Sequence, residues 1–277
     1  MSDPNEGSAP PAGLREWLAG VDPAGEESVR TVRIGDVLCV VKRRRRSVAG
    51  ALGYVARYLR AAFLAVFCRL FLGELPSPRV LLRNGLADEA RRLRELRRAG
   101  CRVPAVLWEE PEVLVLEFVG DDLPYIARRA DPGNRRALLA QAGVDLAEFH
   151  RQGHVHGGAQ LRNITVRDGM LWRIDFEENI GGALSRPLAQ AYDVFQMLAS
   201  LMTMRRLSAE ELSGLGTLML ERYLQAWPDP AVRRELERVA RTLRKVTAVP
   251  GLARLPWRDV QGFVRVARIL QCLLRTP

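Results

Sequence analysis

The sequence predicts an α+β protein of two lobes, with a small antiparallel β front carrying one helix and a mostly helical back. Three observations predict it. Between Val29 and Lys42 two β-branched runs, VRTVRI and VLCVVK, flank the two-residue turn Gly35-Asp36, which reads as an antiparallel hairpin ending at Lys42. VLW at 106–108 and VLVLEFV at 113–119 surround the acidic turn EEPE and read as a second hairpin. From Asn134 onward the chain is mostly helical, beginning with Leu138, Ala142, Leu146 and Phe149 along one helix face that ends at Gly153.

The length of 277 residues allows a sizeable buried core. Residues 1–13, rich in Pro, Gly, Ser and acids, read as a disordered tail with nothing to bury. The β-rich lobe is expected over 14–120, with a basic and apolar helical insert at 43–82, and the helical lobe over 121–277. The net charge of +10 is carried by arginine, since Lys42 and Lys245 are the only lysines. Such a balance points to an acidic partner, whether nucleic acid, an anionic membrane surface or a phosphorylated substrate, or to an arginine-rich composition without functional meaning. Cys39, Cys68, Cys101 and Cys272 form no CxxC pair and follow no signal peptide, which argues against a disulfide framework or zinc site and for a reducing cytoplasm.

Residues 43–72 open with an arginine cluster and continue as an apolar helix interrupted by Arg57, Arg60 and Arg69. The unbroken apolar stretch from Ala61 to Cys68 is far short of the roughly 20 residues that cross a bilayer. With Tyr54, Tyr58, Phe63, Phe67 and Phe71 the stretch suits an interfacial membrane anchor, or a helix packed on the small lobe. A helix is expected over 86–99, with Asp88 and Glu89 in its first turn and Arg97 and Arg98 in its last. Later helices are expected at about 188–204, 208–226, 230–247 and 257–274, the second opening on a Ser208/Glu211 capping box.

The chemistry concentrates in residues 146–179. This stretch reads as a helix, a polar loop from His154 to Arg162, a strand NITV, a turn at Asp168-Gly169 and a strand LWRID. A tight hairpin brings Asn163 and Asp175 to one edge, and an amide oxygen beside a carboxylate suits Mg²⁺, with Glu177 as a third oxygen. His150, His154 and His156 cluster in sequence, but Gly153 breaks their helix and no fourth zinc ligand lies nearby, so His156 is read as hydrogen-bonding backbone around the loop.

This order of motifs resembles the protein-kinase-like superfamily, and most of all its compact bacterial branch of Kdo and lipopolysaccharide kinases, over roughly residues 29–200. The resemblance implies a two-lobed protein-kinase-like fold that uses ATP and Mg²⁺. It makes Lys42 the lysine of the α- and β-phosphates and Glu89 its ion-pair partner, with Glu95 competing for that place. It makes Glu117 to Val119 the hinge that meets adenine through its backbone, Asn163 and Asp175 the metal ligands, and Asp193 the brace of the catalytic loop.

Two departures matter. The family's loop reads His-Gly-Asp or His-Arg-Asp, and here it reads His156-Gly157-Gly158, so glycine stands where the proton-accepting aspartate belongs. No GxGxxG phosphate loop precedes Lys42. Losing a general base costs about 10²- to 10⁴-fold, whereas most phosphoryl-transfer catalysis comes from positioning and charge neutralisation. Activity then rests on Glu177 or Glu178 as substitute base, on Gln160 orienting the acceptor, or on an acceptor already anionic, with His156 the further catalytic candidate beside Glu177 and Gln160. The leading expectation is a phosphotransferase acting on an envelope sugar, such as a lipid-linked glycan, at the cytoplasmic face of the membrane. The alternatives are a nucleotide-binding pseudokinase scaffold and a nucleic-acid-associated protein.

Overall fold

The computed structural model describes residues 11–20, 28–43, 85–177, 182–247 and 258–274. The insert expected over 43–82 therefore lies, apart from Arg43, outside the described residues, as do most of the expected tail and Glu178.

The front lobe opens with a short helix α1 (Leu14–Ala19) and the hairpin β1 (Ser28–Ile34) and β2 (Val37–Arg43), followed by helix α2 (Leu86–Arg98) and the hairpin β3 (Val106–Glu110) and β4 (Val113–Glu117). The four strands form one antiparallel sheet in the order β1-β2-β4-β3. The sheet is buried on both faces. Cys39 and Val41 point into a cluster with Leu14, Ile34 and Val115, while Leu114 and Leu116 pack beneath Leu86, Ala90, Leu93 and Leu96 of α2. Strand alternation therefore puts Lys42 on the face opposite Cys39 and Val41, the face that α2 covers.

Helical spacing does the matching work on the other side. Positions 86, 89, 90, 93 and 96 share the buried face of α2, so Glu89 enters the core alongside four apolar residues. Glu95 points outward and pairs with Arg91 at 3.3 Å.

Beyond Gly120 lies a two-residue strand β5 (Asp121–Asp122), then helices α3 (Leu123–Arg129) and α4 (Pro132–Arg151). Asp122 and Asp131 cap these helices through the N–H groups of Tyr125 and Asn134, and Asp131 with Pro132 at N1 starts α4 two residues earlier than its apolar pattern suggests. Strands β6 (Ile164–Arg167) and β7 (Met170–Arg173) close over Asp168 and Gly169, both at positive φ, and join β5 in a three-stranded sheet. Gly120 admits the crossing between lobes: φ is 98°, and a Cβ would stand 2.1 Å from the Val166 carbonyl oxygen.

Helices α5 (Arg186–Met202), α6 (Ala209–Ala226), α7 (Pro230–Thr247) and α8 (Arg258–Leu274) complete the helical lobe. The Ser208/Glu211 capping box is present in full. Helices α4 and α6 approach so closely that a Cβ on Gly143 would lie 2.4 Å from the Met219 carbonyl oxygen. The large core of this lobe gathers Leu139, Leu146, Leu188, Met197, Leu220 and Leu236. Phe149 and Phe176 instead join the cluster under α2, so the two lobes share an apolar seam. Among the described residues no helix is long and apolar enough to cross a membrane.

Candidate active site in the cleft between the lobes

Lys42 reaches from the end of β2 to Glu89, with Nζ 2.7 Å from Oε1 and 3.0 Å from Oε2. The same ammonium donates to Asp175 Oδ1 at 2.8 Å and stands 3.6 Å from Glu177 Oε1. Burial works to lower the Lys42 pKa, but the carboxylates of Glu89 and Asp175 outweigh it and hold the amine charged. Burial pushes the Glu89 carboxyl upward, more than Lys42 pulls it down. The two tendencies oppose one another. The double contact from one ammonium favours an ionised Glu89 in this arrangement, because both carboxylate oxygens accept strongly whereas the hydroxyl oxygen of the neutral acid is a weak acceptor.

The loop after α4 is built around Asp193, which α5 carries into the interior. Its Oδ2 accepts the His156 N–H at 2.6 Å and its Oδ1 the Gly157 N–H at 2.8 Å. His150 adds a third bond at 3.2 Å through Nε2, while its Nδ1 meets the Tyr223 hydroxyl at 2.8 Å. Burial alone would raise the Asp193 carboxyl, yet the His150 and His156 contacts carry it below the ordinary carboxylate range. Gln196 supports the same turn, its Nε2 donating to the Gly157 carbonyl at 3.3 Å.

His156 is fully buried. Its Nε2 must carry the proton, because the Ile174 carbonyl 3.1 Å away can only accept, and its Nδ1 accepts the Gly158 N–H at 3.2 Å. Its ring stacks on Phe176 at 4.3 Å, and the Arg92 guanidinium covers Phe176 at 5.2 Å while donating to the Val155 carbonyl. Both ring nitrogens are thus engaged, and His156 fixes the loop from behind. Asn163, also buried, donates its amide to the Gly158 carbonyl at 2.8 Å.

Burial holds the His156 imidazole down to about 3. Below pH 6.5 the unfolded chain takes up a proton that the folded chain refuses until about pH 3. Stability is therefore full above pH 6.5 and falls as the pH drops through that window, by up to about 1.4 kcal/mol per pH unit from this residue. Urea unfolding midpoints at pH 7, 6 and 5 should descend accordingly, and His156→Gln should flatten the slope by about one proton. A wild-type midpoint independent of pH would refute this account.

Asp175 ends the strand-edge segment in the left-handed region, at φ 66°. Aspartate tolerates that conformation better than most residues, and the turn swings its carboxylate back toward Lys42. The Asp175 side chain is 39% exposed and that of Glu177 27%, while Glu89 is wholly covered. Carboxylate oxygens of these three residues lie within 4.8 Å of one another. Three carboxylates around one ammonium leave surplus negative charge, which an oxygen-seeking divalent cation would neutralise, and only Asp175 and Glu177 open toward the cleft to hold it.

At the hinge the Glu117 side chain faces away from the cleft, accepting from Arg167 at 2.8 Å and from the Ala105 N–H at 3.2 Å. The Phe118 N–H donates to Leu38 and the Val119 carbonyl accepts from the Thr165 hydroxyl at 2.8 Å. The Val119 N–H has no acceptor among the described residues.

The fold thus brings Lys42, Glu89, Asp175 and Glu177 together. It sets His156 and Asn163 into the loop wall, and it turns Gln160 into a cavity of about 520 Å³ below that loop. Sequence reasoning passed over Arg92, whose role depends on a stack between lobes, and Gln196, which carries no motif.

One ammonium and three carboxylates thus meet in the cleft between the lobes. The family model described as RIO domain (RIO1) matches residues 73–190. The Bud32 subunit of the KEOPS complex from Pyrococcus abyssi is 29% identical over 91 residues, covering 32% of this chain and 41% of that protein. The match thus spans less than half the length of this curated relative. Among solved structures, a MAP kinase of Leishmania major aligns with a TM-score of 0.34 and 11% identity, over 94% of this chain and 81% of that one. The two sequence matches support the protein-kinase-like superfamily.

Proposed function

We propose that the protein is an ATP- and Mg²⁺-dependent phosphotransferase. The observation that carries this reading is the single ammonium of Lys42 held by Glu89 and Asp175, with Glu177 beside it. Such a lysine is positioned to meet α- and β-phosphate oxygens, and the Asp175 and Glu177 carboxylates to hold the cation that bridges the phosphates. Asn163 lies next to Asp175 across the strand edge, its backbone carbonyl accepting the Ile174 N–H at 3.0 Å, and its side-chain amide oxygen is the further ligand this reading assigns to the cation. The Val119 N–H, without an acceptor among the described residues, supports adenine recognition at the hinge. When bound, the cation supplies charge neutralisation at the transferring phosphoryl group.

The acceptor carried by the resemblance to Kdo and lipopolysaccharide kinases is an envelope sugar at the inner membrane face, which would place the protein in the cytoplasm. That finer reading rests on the resemblance and on residues 43–72.

A second reading is a pseudokinase scaffold, favoured by Gly158. The φ of Gly158 lies outside the left-handed region, so the position can carry a side chain without backbone strain, and its glycine is no requirement of the turn. Calorimetry with ATP and Mg²⁺, together with turnover by the wild type and by Gly158→Asp, separates the readings. The wild type is expected to bind ATP only with Mg²⁺ and to turn it over. Turnover confined to Gly158→Asp would establish the scaffold, and absence of ATP binding would overturn both.

A further inference from the structure

Below the loop lies a cavity whose lining has a chemistry of its own. Its volume of about 520 Å³ suits a small organic ligand. Two exposed guanidiniums, Arg128 of α3 and Arg162 of the loop, stand on its wall with no carboxylate among its described lining residues. Tyr192, Phe195 and Phe263 offer ring faces, Phe263 of α8 lying parallel to Phe195 at 5.9 Å and 8°. Gln196 lines the cavity while 8% exposed and ties that wall to the loop.

The cavity also touches the loop where the general base is missing. The Gln196 amide bonds the Gly157 carbonyl, and the Gln160 N–H donates to the Gly158 carbonyl at 2.7 Å. An alcohol acceptor must lose a proton as it is phosphorylated, which is the task of the absent carboxylate. An oxygen that is already ionised has no proton to lose.

We propose that this cavity is the acceptor site, and that the acceptor is a phosphate monoester carried on a ring, with Arg128 and Arg162 holding the phosphate and the aromatic faces of Tyr192, Phe195 and Phe263 holding the ring. This rests on the phosphotransferase reading above. The step balances without a base. A nonbonding pair on the acceptor phosphate oxygen forms the new bond to the γ-phosphorus of ATP, the bond to the β,γ-bridging oxygen breaks with its electron pair leaving on ADP, and ATP⁴⁻ with R–OPO₃²⁻ gives ADP³⁻ and the R–diphosphate³⁻. Glycine at 158 then removes a negative charge that would repel the incoming dianion.

The ring phosphate could come from a nucleotide or from a sugar, and the test separates them. Uridine monophosphate, ribose 5-phosphate and uridine are titrated calorimetrically into the full chain with Mg²⁺ and a non-hydrolysable ATP analogue. Uridine monophosphate is expected to bind and uridine to bind at least 10-fold more weakly. Arg128→Gln with Arg162→Gln, both at exposed positions, should weaken the phosphate ligands at least 10-fold while leaving the unfolding midpoint unchanged. Ribose 5-phosphate binding as well as the nucleotide assigns the site to sugar phosphates, and binding of the nucleotide alone assigns it to nucleotides. With ATP at pH 8, turnover on the bound acceptor should release almost no proton, whereas transfer to an alcohol or to water releases one per cycle. Equal binding of uridine, binding indifferent to the double substitution, absence of binding, or one proton per turnover would each overturn the proposal. Arginine-dependent binding in a chain that fails to bind the ATP analogue would sink the ATP reading and the acceptor role with it, while the anion site itself would stand.

Discussion

Asp193→Ala is expected to destabilise the protein by about 3–5 kcal/mol, because it removes a buried charge from the middle of three donors. The N–H groups of His156 and Gly157 and the Nε2–H of His150 all end on this carboxylate, and all are buried. With the acceptor gone, none of these donors can turn to water. The loss is a large share of the stability of an ordinary domain, about 5–15 kcal/mol, so the variant should unfold at markedly lower urea or fail to accumulate. Asp193→Asn separates charge from shape. It keeps one oxygen for the loop but turns an NH₂ toward a donor, and its unfolding midpoint should fall between those of Asp193→Ala and wild type. An Asp193→Ala midpoint equal to the wild type would show that the loop does not depend on this hub.

Asp175→Asn should have the opposite profile, a large functional effect with little cost to the fold. Asparagine tolerates the left-handed conformation at φ 66°, and the site is partly open to solvent. The substitution relieves the crowding of three carboxylates around Lys42 while Glu89 keeps its two bonds. The unfolding midpoint should therefore be unchanged or slightly raised. Mg²⁺-dependent ATP affinity and turnover should fall by roughly 10²- to 10³-fold, the scale on which a preorganised charge partner of a transferring group is felt. ATP binding that survives unchanged with Mg²⁺ would exclude Asp175 as a metal ligand.

Part of this site was legible in the residues themselves, since the hairpin over Asp168-Gly169 brings Asn163 and Asp175 to one edge, and part only through the resemblance in motif order, which paired Lys42 with Glu89 and left Glu95 competing. The structure decides between the two glutamates by helical spacing, which buries Glu89 and turns Glu95 outward. The short helix α3 was missed although Asp122 and Pro124 mark its start, because seven residues show too little periodicity to read. The strand β5 is two residues long and exists only through its partner β6. The cavity was invisible for a deeper reason. Its wall draws on α3, the loop, α5 and α8, segments far apart in sequence, and neither Phe263 nor Gln196 has a local pattern that assigns it there.

The segment that follows α2 is riveted to the helical lobe. Arg102 holds Asp145 of α4 at 2.9 Å and the Leu171 carbonyl at 2.9 Å, its own carbonyl accepts the Arg173 N–H at 3.0 Å, and Arg173 returns to Asp145 at 2.6 Å. Helix α2 is therefore a lever whose fulcrum is its C-terminal end. At 1.5 Å per residue Glu89 sits about 16 Å from Gly100, so a tilt of about 5° would carry its carboxylate about 1.4 Å, enough to part it from Lys42. A rotation of that size would disengage the ion pair and draw Arg92 along the face of Phe176, so any molecule that presses on α2 acts on the cleft and on the seam between the lobes together.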